Sequence, residues 1–368
     1  MREDPRHLLD TIEALVENDP SDMLGLVEGA ARQWRQAADA TARFSPPSHW
    51  RNVKKVVISG MGGSAIAGDM VATYLSRRWP VMLTVIRDYN LPAWVDGDTL
   101  FVACSYSGNT EETLGAWSEA GQRGLERAVI TTGGILGKEA EKAGVPCLSL
   151  PSGFPPRAAL PAGLVTLFRL LSGVGPEGEA APGGEGTLGE MEEAVEVLES
   201  LADEYGRERK VIENPAKELA LWLGTSWIVI YAPAYPLGPV ALRWRGQIGE
   251  NGKRVASGHM LPEMNHNEIV GWQVQSEIYP ATRVLLLEDA DQGDRLRLRA
   301  DTTAVLLEGE GAPLKRLKTR GEGLLARMMS LVALGDYSSV YLASGWKVDP
   351  TPVEKIDYLK AKLSEAAP

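Results

Sequence analysis

Residues 99–113, "TLFVACSYSGNTEET", run an apolar stretch straight into three hydroxyls, a glycine, an asparagine and two acids. The first half shows no polar alternation, which predicts a strand buried on both faces rather than one with a solvated side. The second half is richer than a turn requires, because one glycine or asparagine is enough to reverse a chain. Ser105, Ser107 and Thr110 cluster at the start of a helix predicted over 110–123.

Outward from this junction the same grammar recurs. "VKKVVIS", "VMLTVI", "RAVIT" and "VPCLSL" are further short apolar runs, and helical stretches at 64–77, 110–123 and 135–143 separate most of them. Strand and helix in alternation predict an α/β fold with a parallel sheet covered on both faces. After the helical "RAALPAGLVTLFRLL", the Gly-, Pro- and Glu-rich stretch from 172 loses all periodicity and reads as a linker. The pattern then resumes with helices at 189–208 and 214–223, the strand "SWIVIYAP", a helix over 238–249 and the strand "TRVLLLE". A helix near 293–307, a strand "LKRLKT", a long helix from about 322 and a last helix over 353–365 follow. The expected organisation is an N-terminal helical extension (1–50), a first doubly wound domain (51–172), a linker (173–188), a second such domain (189–350) and a C-terminal helix (351–368). In the extension, Leu8, Leu9, Ile12, Leu15 and Val16 are expected to share one face.

The 368 residues suit two domains, and a net charge of −11 argues against a nucleic-acid partner. Two cysteines, Cys104 and Cys147, sit in or beside apolar runs and are expected to be buried free thiols of a reducing compartment. The charged start "MREDPRHLLD" has no apolar signal region, and the longest uncharged stretch, "WIVIYAPAYPLGPVAL", is too short and proline-broken to span a bilayer. A cytoplasmic protein without a membrane partner is therefore expected. The four histidines and two cysteines show no metal-ligand spacing, so no metal site is expected.

In parallel sheets ligands bind beyond the carboxyl ends of the strands, where helix N-termini offer free N–H groups. Two such junctions occur. In "VVISGMGGSAIAGD", Gly60, Gly62 and Gly63 let the backbone approach a ligand and Ser64 opens a helix; the other is the hydroxyl cluster of 105–110. Hydroxyls and N–H groups together suit a phosphate. "GMGGSA" also fits a loose dinucleotide fingerprint with Asp88 as a ribose ligand, but a dinucleotide would not need the second loop. An NAD-dependent oxidoreductase is accordingly the lesser alternative, and no Walker lysine supports nucleotide hydrolysis.

Taken together, "SGMGGSAIAGD", "SYSGNTEETL" and "ITTGG" resemble the sugar isomerase (SIS) domain, which binds phosphosugars. "PPRAALP", "GQIGENGK", "LPEMNHNEIVGW" and "DPTPVEKIDYLKAKL" are similar to the bifunctional phosphoglucose/phosphomannose isomerases of archaea and bacteria. The resemblance runs from about residue 50 onward and implies two SIS-like halves, no cofactor, and a homodimer with shared sites. It implies substrate binding at Gly62, Gly63, Ser64, Ser105, Ser107 and Thr110. It implies a catalytic arginine at Arg157, a base at Glu250, a ring-opening histidine at His266 and an assisting lysine at Lys360. Of the other histidines, His7 and His49 fall in or beside the N-terminal helices, and His259 is expected in a Gly-rich turn. The implied activity interconverts glucose 6-phosphate, and mannose 6-phosphate, with fructose 6-phosphate; a phosphosugar-binding module without turnover is the alternative. One departure stands out: the family's threonine before the last helix aligns with Val353, or with Thr351 in a register shifted by two.

Overall fold

A computed structural model describes residues 3–273 and 277–365; the tips of the first and last expected segments, 1–2 and 366–368, lie outside them. Four helices come first: α1 (Pro5–Asp10), α2 (Ile12–Asn18), α3 (Met23–Glu28) and α4 (Ala30–Thr41). Asp19 accepts from the N–H groups of Met23 and Leu24 at 2.9 and 2.7 Å and so fixes the start of α3. Leu8, Leu9 and Leu15 are buried, but Val16 faces solvent. The chain is extended at Thr11, so α2 starts a new helical phase and the single expected face is split.

The first half then alternates β1 (Lys55–Ser59), α5 (Gly62–Leu75), β2 (Met82–Ile86), β3 (Thr99–Ser105), α6 (Glu111–Gln122), β4 (Glu126–Thr131), α7 (Gly134–Ala143), β5 (Cys147–Ser149) and α8 (Leu160–Leu171). The five strands form one parallel sheet in the order β2-β1-β3-β4-β5. Val56, Val57, Ile58 and Leu100, Phe101, Val102 and Ala103 have no solvent contact at all, as strands between two helix layers require. Cys104 is buried, and burial pushes its thiol up to about 12. Cys147 is exposed, contrary to expectation, because it lies on the short edge strand β5 with its side chain outward.

The second half comprises α9 (Glu185–Tyr205), α10 (Pro215–Leu223), β6 (Trp227–Pro233), α11 (Ala234–Glu250), β7 (Ala256–Leu261), β8 (Thr282–Glu288), α12 (Asp294–Gly309), β9 (Leu314–Lys318), α13 (Leu324–Ser344) and α14 (Glu354–Glu365). Its parallel sheet has the order β7-β6-β8-β9. Counted within each half, both sheets run second-first-third-fourth, and the first adds a fifth strand. Strand β7 was not expected. It holds His259, which therefore sits in an edge strand rather than a Gly-rich turn. The glycine-rich stretch after α8 is packed rather than free: Val174 and Ala181 are buried, and α9 begins at Glu185, ahead of the expected 189.

One large apolar core joins the N-terminal helices, the inner faces of both sheets and helices α8 to α11, with α13 buried along nearly its whole length. Smaller cores around Phe101 and Tyr231 close the outer face of each sheet. Among the described residues no helix is long and apolar enough to cross a membrane.

Candidate active site

Because β1 and β3 are neighbours whose chains then depart to opposite sides, the first sheet has its switch point between them, where α5 and α6 begin. Neither helix carries a side-chain cap. Thr110 occupies the capping position of α6, yet its hydroxyl bonds Ser105 Oγ at 2.8 Å instead. Ser105 Oγ also accepts from the Gly108 N–H at 3.1 Å, and Ser107 Oγ from the Asn109 N–H at 3.2 Å. Ser64, half-buried at the start of α5, makes no side-chain hydrogen bond among the described residues. First-turn N–H groups and a positive dipole end are thus left for an anion at both helices.

The loop is held in place by its neighbours. Gly108 has φ +68°, and a Cβ there would lie 1.9 Å from Gly133 O, so "SYSG" and "TTGG" interlock through bare backbone. Asn109 Oδ1 accepts from the Ile135 N–H at 3.0 Å, and Thr132 Oγ1 donates to Tyr106 O at 2.7 Å. At α5, a Cβ on Gly63 would come within 2.7 Å of Pro156 O, which brings the helix start flush against the turn carrying Arg157.

A cleft of about 200 Å³ opens here, walled by Gly62, Gly63, Arg157, Gln247 and Glu250 among others. Glu250, the last residue of α11, keeps a third of its side chain exposed, with Oε2 3.5 Å from Nη1 of the nearly buried Arg157. The remaining Arg157 donors are all engaged: Nε with Asn251 Oδ1 at 2.6 Å, and Nη2 with the carbonyls of Pro350 and Thr351 at 2.9 Å each. Burial pushes the guanidinium below its ordinary value and Glu250 pulls it back up. Such a group remains a cation at any working pH.

A wider network surrounds this arginine. Asn251 is fully buried and donates to Ser339 Oγ at 3.0 Å. Arg243 pairs with Asp336 at 2.6 and 2.9 Å and donates to Arg157 O at 3.0 Å, while Gln247 Nε2 donates to Asp336 at 2.9 Å. Lys253 donates to Glu250 O, to Pro350 O at 3.0 Å and to Pro352 O at 2.6 Å; burial, then the nearby Arg157, lowers its ammonium. Two cations therefore gather the carbonyls of 350–352, directly ahead of α14.

The resemblance did not single out Asn251, Lys253, Arg243, Gln247 or Asp336. Arg243, Gln247 and Glu250 fall at i, i+4 and i+7 of a largely apolar helix, a polar stripe that the sequence does display. Of the residues that were singled out, Arg157, Glu250, Gly62 and Gly63 meet in the cleft, and Ser105 and Thr110 meet one another. His266 and Lys360 are exposed, line no part of the cleft and have no hydrogen-bond partner among the described residues. His259 faces Glu268 at 3.1 Å. Thr351, whose carbonyl Arg157 holds, has a buried hydroxyl without a partner.

The equivalent crevice of the second sheet, between β6 and β8, carries Asp289, Asp291 and Asp294 where the first has hydroxyls. Arg77 and Arg295 line it too, and Arg327 pairs with Asp289 and Asp291 at 2.7 and 3.3 Å. Among the described residues no group of three or more His, Cys, Asp and Glu could hold a metal ion.

Residues 212–363 match the family model described as the bacterial phospho-glucose isomerase C-terminal SIS domain. The chain is 41% identical over 314 residues to a bifunctional phosphoglucose/phosphomannose isomerase of Caldicellulosiruptor bescii, covering 85% of this chain and 91% of that protein. It is 37% identical over 316 residues to the protein of that name from Aquifex aeolicus, covering 85% and 92%. The solved tagatose-6-phosphate ketose/aldose isomerase of Escherichia coli shares the fold with a TM-score of 0.66 at 13% identity, over 89% of this chain and 95% of the other.

Proposed function

This chain belongs to the bifunctional phosphoglucose/phosphomannose isomerases, and from that premise we propose how its cleft interconverts glucose 6-phosphate and mannose 6-phosphate with fructose 6-phosphate. It is an aldose–ketose isomerase of phosphosugars. The observation that carries the mechanism is the meeting of a partly exposed carboxylate and a fixed guanidinium, 3.5 Å apart, beside an uncapped helix start.

The 6-phosphate binds the first-turn N–H groups of α5 and α6 together with Ser64, Ser105, Ser107 and Thr110. With the ring open, Glu250 removes the proton from C2 of the aldose, and the electron pair forms the C1–C2 double bond of an enediolate. The same carboxyl returns the proton to C1, and the O2 proton passes to O1, which leaves C2 a ketone and C1 a hydroxymethyl group. Arg157, already oriented by Asn251 and two carbonyls, stabilises the charge on O1 and O2 without any metal ion. Thr351, whose carbonyl accepts from Arg157, and Val353 are the two candidates for meeting the C2 substituent of either epimer.

Ring opening falls to His266 of a second copy of the chain, with Lys360 assisting. Supporting a homodimer, α14 bears Ile356, Leu359 and Leu363 along one face, 40%, 58% and 46% exposed among the described residues. His266 itself lies on an exposed 3₁₀ turn, free to reach another subunit. Subunit mixing tests both claims. Glu250→Gln and His266→Ala chains, each inactive alone but competent to bind fructose 6-phosphate, should regain about a quarter of all sites when exchanged at random. No recovery despite proven exchange rejects the shared site, and Glu250→Gln turnover above a few per cent of wild type, roughly, rejects the base.

A further inference from the structure

Gly246 sits in the interior of α11, one helical turn before Glu250 and on the same face, and it lines the cleft. Glycine is the least favourable residue other than proline at such a position, so its presence calls for a local reason. Packing supplies none: a Cβ at 246 would meet nothing within 4 Å. Gly335 in α13 shows the contrast, since its Cβ would lie 2.5 Å from the Trp244 ring. The space that a side chain at 246 would fill is the cleft itself, between α11 and the start of α5 on which α11 packs.

Resting on the isomerase reading above, we infer that Gly246 is a specificity-determining residue, which keeps helix backbone bare so that the carbon chain of a hexose 6-phosphate can lie against α11. The phosphate is bound at the starts of α5 and α6 and the reacting carbons at Glu250, and Gly246 lines the cleft that holds both Gly63 and Glu250. A side chain there takes volume from substrate and transition state alike, so it raises KM more than it lowers kcat. Gly249, in the same helix, also has open space at its Cβ, but it is exposed and lines no part of the cleft, which makes it the internal control.

The test compares wild type, Gly246→Ala, Gly246→Leu and Gly249→Ala by thermal melting and by steady-state conversion of fructose 6-phosphate. Alanine favours the helix, so both alanine variants should melt no lower than wild type. Gly246→Ala should nonetheless lose on the order of tenfold in kcat/KM, chiefly through KM, and Gly246→Leu on the order of a hundredfold. Gly249→Ala should keep wild-type kinetics. Unchanged kinetics in Gly246→Ala overturns the inference, and so does an equal loss in Gly249→Ala, which would point to helix stiffness instead of space. If wild type fails to convert fructose 6-phosphate, the isomerase reading is what falls; fructose 6-phosphate binding, followed by its thermal shift, then decides. Equal shifts for wild type and Gly246→Ala overturn the inference on its own terms.

Discussion

Replacing Arg157 by lysine keeps the positive charge and removes the fork. Three hydrogen bonds depend on that fork: Nε to Asn251 Oδ1, and Nη2 to the carbonyls of Pro350 and Thr351. Hydrogen bonds from a charged donor contribute about 1.5–3 kcal/mol each, and a buried acceptor left unmatched costs a similar amount. A lysine ammonium, shorter by the planar group, can recover roughly one of the three, so a net loss of about 3 kcal/mol is expected. At about 2 cal/mol/K per residue over the 368 residues, that lowers Tm by about 4 °C. Turnover should fall further than stability does. The lysine's flexible stem no longer fixes a charged donor at the Nη1 position beside Glu250, and loss of such a preoriented donor costs about 10²–10³ in kcat. Calorimetry with an assay of fructose 6-phosphate conversion reads both effects on one preparation. A variant within about threefold of wild-type kcat and about 1 °C of its Tm would refute the account of Arg157 as an oriented cation.

Ser105→Ala combined with Thr110→Ala removes hydroxyls that bond one another at 2.8 Å, and should raise KM for fructose 6-phosphate on the order of tenfold while kcat changes little. If Arg157 stabilises the enediolate charge as proposed, activity should be unchanged in EDTA; loss on chelation with recovery on added zinc would contradict the mechanism. Lys217 is 1% exposed, donates to the carbonyls of Arg207 and Arg209 at 2.8 and 2.6 Å, and is pushed by burial from 10.5 to about 8. Between those values the unfolded chain binds more protons than the folded one, so wild-type stability should rise with pH across about 8 to 10.5 relative to Lys217→Met. The gain is about 3 kcal/mol at most, and parallel pH profiles of urea midpoints for the two proteins would show the assignment to be wrong.

Buried apolar runs were readable because a strand between two helix layers has no polar alternation to obscure it; β1, β3 and β4 announce themselves this way, while the edge strands β2 and β5 show as apolar runs although they are only partly buried. Strand β7 does not. It is an edge strand, largely half-buried, and "ASGHML" carries a glycine, a serine and a histidine, so no apolar run marks it. A Cβ on Gly258 would lie 2.4 Å from Ile230 O, a requirement that exists only once β6 is alongside. The glycines and hydroxyls of 60–64 and 105–110 could be read as two strand-to-helix junctions because each is local. The support of Arg157 was not, since Asn251, Asp336 and Pro350 lie far along the chain from it and become its neighbours only through the packing of α11 and α13. His266 and Lys360 mark a different limit: both are exposed and have no hydrogen-bond partner among the described residues, so the packing of one chain assigns them no place.

Arg157 belongs to the first half by sequence, yet every group that fixes it comes from the second: Asn251, Arg243 and the carbonyls of 350–351. During synthesis the arginine is therefore made long before its partners, and water hydrates its donors until they arrive. A gene split near residue 180 would yield a first fragment whose apolar faces toward α9, α11 and α13 are bare, and such a fragment should be aggregation-prone even though its five-stranded sheet is complete. Co-expression with the second fragment should rescue it, because the interface that covers those faces is the same one that orients the arginine. Chemical competence and the docking of the two halves are thus a single event.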